Sequence, residues 1–178
     1  YSIDQKVIEL FKDQQKIISL RIEKVVDTEK LISLDPHMHT TNSDGRMGVP
    51  ERIKSAAAEG IEVVVSTDHN FISDYLPDLN KLELDKFLHV IYGNEVTTRE
   101  LLHYNTYPIS IRKEEPANGA INAFPDSVKR LFNSSRSKDS GTLIQVNHPR
   151  AGRIGYFNNF QLDPEKAAFA KDTFDLTF

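Results

Sequence analysis

Leu31-Ile32-Ser33-Leu34-Asp35-Pro36-His37-Met38-His39 is the stretch on which the fold turns: a short apolar run delivering two histidines at its end. Two positions apart on an extended chain, His37 and His39 project to the same side, so two imidazoles can share one cation. The same arrangement recurs downstream. Ile61 to Ser66, with Val63-Val64-Val65, is the kind of fully apolar run found in strands covered on both faces, and it leads into Thr67-Asp68-His69-Asn70. Leu88 to Tyr92 leads into Gly93-Asn94-Glu95, and Leu143 to Val146 into Asn147-His148-Pro149. A weaker strand, His103 to Ile109, begins on a histidine. Between the first two strands Pro50 to Glu59 reads as a helix, with Pro in its first turn and Gly60 just past its end. Ser127 to Phe132 also reads as helical, followed by a polar turn from Asn133 to Gly141.

Alternating strands and helices predict an α/β protein with parallel strands. Ionisable residues at successive strand ends further predict a closed (β/α) barrel, where every strand end opens on one mouth. A doubly wound sheet is the competing arrangement, although it gathers ligands at one switch point instead of all round.

The rest of the composition narrows the chemistry. The chain has 178 residues, enough for one domain with its own core, and 39% are hydrophobic against 27% charged. A net charge of -4 argues against a nucleic-acid surface, which needs a cationic face, while leaving room for a local anion pocket. No cysteine is present, so disulfides and thiolate sites are excluded and His, Asp and Glu are the strong ligands that remain. No apolar run approaches the roughly 18 residues of a membrane span. Residues 1–30 are expected to be a lead-in or the tail of an upstream domain, with a helix over 3–12 and a strand over 18–26; residues 31–178 form the main domain. The chain opens on Tyr1, as a processed form or an excerpt would, and Phe174 to Phe178 alternates like a strand inside which an excerpt would stop.

Each candidate ligand has an ordinary structural role to set against the chemical one. Asp44, in Asn42-Ser43-Asp44-Gly45, is either a turn former or a ligand. Asp68 and His69 close a buried strand, where unpartnered ionisable groups are costly, so a metal or each other is the expected partner. Glu95 either bridges two cations or caps the next loop. His103 and His148 belong to the same series of strand ends; His89 precedes its strand and is expected to be structural. Five histidines and three carboxylates exceed the needs of one tetrahedral ion and suit two or three divalent cations such as zinc, manganese or iron. Clustered cations lower the pKa of a shared water and clamp the oxygens of an in-line displacement, so no side-chain nucleophile is required.

Asp35-Pro36-His37-Met38-His39-Thr40 with Ser43-Asp44-Gly45, then Ser66-Thr67-Asp68-His69-Asn70, Gly93-Asn94-Glu95 and Asn147-His148-Pro149, resemble the PHP (polymerase and histidinol phosphatase) superfamily over residues 31–150. Glu95-Val96-Thr97-Thr98 with His103-Tyr104-Asn105 looks most like its carbaryl-hydrolase-like branch. The resemblance implies a distorted seven-stranded TIM-like barrel with a trinuclear site. It implies His37 and His39 on the first metal, Glu95 bridging to a second completed by His103 and His148, and Asp44 and His69 on the third. Asp68 would orient its neighbours or bind weakly, Glu95 and Asp68 being the candidate catalytic carboxylates. Arg150 and Arg153 would either meet a small anionic ester substrate or be surface arginines. The implied activity is hydrolysis of a phosphoester, with a carboxylic or carbamate ester, or a non-catalytic module, as the alternatives. The family's closing Asp-x-His pair does not occur after His148. Either the chain is an excerpt in which the last strands and ligands are missing, the favoured expectation, or the site is degenerate.

Overall fold

The computed structural model describes residues 3–21, 23, 25, 28–98, 102–121, 127–166 and 168–169. The chain divides into two compact units, Tyr1–Ile32 and Ser33–Phe178. The helix expected over 3–12 does not form, and the described part of 18–26 holds no strand. Instead the backbone N–H of Arg21 donates to Asp4 at 3.0 Å and Lys6 donates to the carbonyl of Ser19 at 2.6 Å. Ile3, Val7 and Phe11 are exposed. A helix this short gains little from propensity alone and needs a partner for its apolar stripe, which the described residues of this unit do not offer.

In the second unit, β1 (Leu34–Met38), β2 (Val63–Ser66) and β3 (His89–Tyr92) form a parallel sheet in the order β1-β2-β3. Between β1 and β2 lies α1 (Val49–Ala58), and between β2 and β3 lies α2 (Leu76–Lys81). Ile53 and Ala56 of α1 and Leu79 of α2 pack with Val64 and Leu88 in one buried cluster. This half matches the expected parallel α/β pattern. His89 opens β3 at the edge remote from the ligand-bearing strand ends and is exposed.

The second half departs from it. After Gly93 the chain enters β4 (Asn94–Thr97), which pairs antiparallel with β5 (His103–Tyr107), itself antiparallel to β6 (Leu143–Val146). A parallel neighbour needs a crossover of a dozen or more residues, and residues 98–102 are too few to provide one, so the chain can only turn back. Among the described residues the strands make two three-stranded sheets and a two-stranded one, with no closed barrel. The two larger sheets meet at a parallel bridge between His69 and Glu95. Reversal at β5 keeps one edge common: the start of β5 lies beside the end of β4, and the end of β6 lies beside the start of β5.

α3 (Val128–Arg136) starts at Ser127, whose side chain accepts from the backbone of Arg130, and it runs on through residues read from their polarity as a turn. Leu131 and Phe132 bury against Val96, Tyr104 and Tyr156, with Phe132 and Tyr156 edge-on to Tyr104 at 5.0 and 5.7 Å. β7 (Leu162–Asp163) and β8 (Ala168–Phe169) form the small antiparallel pair; the strand expected at 174–178 lies outside the described residues. No helix among the described residues is long and apolar enough to cross a membrane.

Gly93 is the joint between the sheets. A Cβ there would stand 2.5 Å from the carbonyl oxygen of Thr106 and 3.2 Å from a methyl of Val65. Gly93→Ala is therefore expected to cost about 1–3 kcal/mol, as overpacking does. Urea unfolding measures it, and a variant as stable as the parent would contradict the close approach.

Candidate functional site

Period-two alternation builds the site. Met38 points into the core, so His37 and His39 on either side of it turn the other way, their Nε2 atoms 2.9 Å apart. In the second sheet Val96 and Tyr104 face the core, while Glu95, Asn105 and Gln145 are paired across three strands on the opposite face. Thr97 pairs with His103, which places His103 diagonal to Glu95 on that face. The bridge to His69 brings the end of β2 alongside. His148, at a positive φ of 28°, turns its ring back toward the same point.

All of these converge on Glu95, which is 1% exposed. Its Oε2 lies 3.0 Å from His69 Nδ1, 3.1 Å from His39 Nε2 and 3.4 Å from His37 Nε2. Its Oε1 lies 3.1 Å from His103 Nδ1 and 3.5 Å from His148 Nε2, and it accepts a 2.7 Å bond from Asn147 Nδ2. Burial works to raise the Glu95 carboxyl, but His103, His37, His39 and His69 together outweigh it and hold it well below the usual carboxylate range. The reciprocal effect raises His69 through Glu95, against the pull of burial. His148 is lowered, by burial first and then by the neighbouring His103.

Asp44 reaches the cluster because its loop folds back onto the end of β1. Thr41 N–H donates to the carbonyl of Met47 and Gly45 N–H to that of Thr40, both at 2.9 Å. Only glycine fits at position 45, where a Cβ would stand 2.6 Å from the carbonyl carbon and oxygen of His39. Asp44 then offers one oxygen 3.4 Å from His39 Nδ1 and the other 3.5 Å from His69 Nε2, from a side chain that is 70% exposed.

Asp68, two residues past the end of β2, sits among backbone and hydroxyl donors. It is fully buried, and both oxygens are occupied. Oδ1 accepts from the Thr40 backbone at 2.7 Å and the Ser43 hydroxyl at 2.6 Å; Oδ2 accepts from the Thr40 hydroxyl at 2.7 Å and from Ser73. Four donors fill its acceptor positions, so it pins the loop that carries Asp44 and does not pair with His69. Arg150 and Arg153 are exposed, and the Arg150 guanidinium lies 5.3 Å from the centre of the Phe157 ring. Sequence reasoning missed Asn105, Asn147 and Thr97, whose hydroxyl meets His69 Nδ1. The available signal was the alternation of polar side chains along strands whose other face is apolar.

Among the described residues three overlapping groups could each hold a cation, their ligand atoms within 4.8 Å of one another: His37, His39 and Glu95; His39, Asp44 and His69; and His69, Glu95 and His103. The donor set fits borderline divalent ions. Nitrogens that share one ion at ~2.0–2.1 Å stand roughly 2.9–3.4 Å apart, which includes the His37–His39 separation. The sharpest sign is Glu95 Oε2. It is buried with three imidazole nitrogens around it, yet it makes no hydrogen bond. Such an oxygen is costly unless another partner satisfies it.

No protein-family model matches the chain, and no curated protein matches it. Among solved structures it is similar to a two-domain protein from Bacteroides vulgatus ATCC 8482 described as containing a predicted PHP-like metal-dependent phosphoesterase, at 23% identity and a TM-score of 0.49. The match covers 67% of this chain and 35% of that one, so the chain spans about a third of that structure's length. A likeness of this size leaves function to be argued from the site itself.

Proposed function

We propose that this chain is a metal-dependent hydrolase of the PHP type that uses metal-activated water to cleave a phosphoester. The observation that carries the reading is the buried, hydrogen-bond-free Oε2 of Glu95 among His37, His39 and His69. His37, His39, Asp44, His69, Glu95, His103 and His148 would hold two to three divalent ions, zinc, manganese or iron. Bound there, such ions would lower the pKa of water and neutralise charge developing on the ester oxygens.

The protein's own residues divide the remaining work. Glu95 supplies buried negative charge that five imidazoles alone cannot. Asp68 acts at one remove, holding Thr40 and Ser43 so that Asp44 stays over His39 and His69. The imidazoles of His37, His39, His69, His103 and His148 remain 19–27% exposed, which leaves the cluster open on one side to a small anionic ester. Arg150 and Arg153, on the loop after His148, are the cations offered to that substrate.

Elemental analysis of the purified chain, paired with hydrolysis of an aryl phosphate and an aryl carboxylate, tests the proposal. At least two metal ions per chain and preference for the phosphate are expected. A folded protein with less than one ion per chain would sink the reading, and preference for the carboxylate would move it to another bond.

A further inference from the structure

Asn105 and Asn147 are buried polar side chains that the metal reading does not itself use. Their orientation follows from elementary hydrogen-bond logic, starting at the carbonyl of Pro36. A carbonyl can only accept, so Asn105 must present Nδ2 to it, at 2.8 Å. That turns Asn105 Oδ1 toward Asn147, which must then answer with Nδ2, at 2.7 Å. The second proton of the same amide goes to Glu95 Oε1, at 2.7 Å. Asn147 Oδ1 accepts from Gln145 Nε2 at 3.3 Å, and Gln145 Oε1 accepts from the Tyr107 hydroxyl at 2.9 Å. Neither asparagine amide can be flipped without setting two acceptors or two donors against each other.

A glutamate side chain has three rotatable bonds, and burial alone does not choose which oxygen faces His37, His39 and His69 and which faces His103 and His148. We propose that Asn147, itself oriented by Asn105, is the positioning residue for Glu95. By engaging Oε1 it turns Oε2, the oxygen left without a hydrogen bond, toward His37, His39 and His69. The relay ends at Pro36, next to His37, so it ties the end of β6 to the end of β1 through the residue between them. This inference rests on the metal reading above and adds to it the residue that sets the geometry of its central ligand.

Zinc competition against a chromogenic chelator tests it, on the full chain and with circular dichroism to establish folding. Asn147→Leu keeps the volume and removes the donor; zinc affinity is expected to fall about 10–100-fold, the usual effect of losing a partner that orients a ligand. Asn105→Leu leaves the direct bond to Glu95 but frees Asn147 to rotate, and a smaller loss, about threefold or more, is expected. Ser135→Ala, at a buried polar side chain on α3, serves as control: it is expected to shift melting temperature without moving zinc affinity. Parent-like zinc affinity in folded Asn147→Leu overturns the inference. Should that variant not fold, parent-like affinity in Asn105→Leu overturns it instead. A parent chain that takes up no zinc overturns the metal reading and the relay together, whereas a zinc-binding parent with unaffected variants overturns the relay alone.

Discussion

Alanine at both His37 and His39 is expected to cut hydrolysis by about 10³-fold or more, beyond the 10–100-fold typical of residues that only orient ligands. The two Nε2 atoms are 2.9 Å apart and both face Glu95 Oε2. Removing them dismantles two of the three ligand groups among the described residues, and leaves His69, Glu95 and His103. Metal content should fall with activity, to one ion per chain at most. The fold should survive, because both imidazoles are partly exposed while Met38 between them keeps its place in the core. Steady-state rates and elemental analysis on the same preparation check the expectation. Unchanged turnover in the double variant would leave the cluster without a catalytic role.

The second large effect is on stability. Stripping the cations with a strong chelator is expected to lower the melting temperature by roughly 5–10 °C. Ions present at about a hundredfold their dissociation constant stabilise the folded state by ~2.7 kcal/mol, and ~1 kcal/mol moves a domain of this size by 2–4 °C. Carboxylate repulsion is not the main cause. Asp68 is saturated by hydroxyl and backbone donors, and Asp44 is largely solvated, so among the described residues Glu95 is the one carboxylate buried among the imidazoles. The expected loss is that of a ligand that binds only the folded chain, together with the buried Oε2 losing its partner. Differential scanning calorimetry with and without chelator, followed by zinc add-back, reads it. A melting temperature indifferent to chelation would count against bound metal in the folded protein.

Much of this was legible without coordinates. The apolar runs at Val63-Val64-Val65 and Leu88 to Tyr92, with a proline-started helix before the first, are local patterns, and they become β2, β3 and α1. His37, His39, His69, Glu95, His103 and His148 were visible as ionisable residues at strand ends, because strand periodicity tells which side chains share a face. The lead-in helix failed for the complementary reason: periodicity shows that a face could be buried but not that anything covers it.

What local pattern cannot carry is the partner. Whether β5 runs parallel or antiparallel depends on how many residues join it to β4, and the resulting hairpin replaces the expected parallel continuation. Asp68 and Asp44 are equally acidic in the sequence. Only the folded loop, made possible by Gly45 lying against His39, gives one to Thr40, Ser43 and Ser73 and aims the other at two imidazoles. The directed amide of Asn147 and the hydrogen-bond-free oxygen of Glu95 are likewise properties of distant contacts. The sequence by itself determined the candidate ligands and the strand ends that carry them. Tertiary structure decided which carboxylate is spent on the scaffold and which is left facing the imidazoles, because each hydrogen bond that settles it joins residues far apart in the chain.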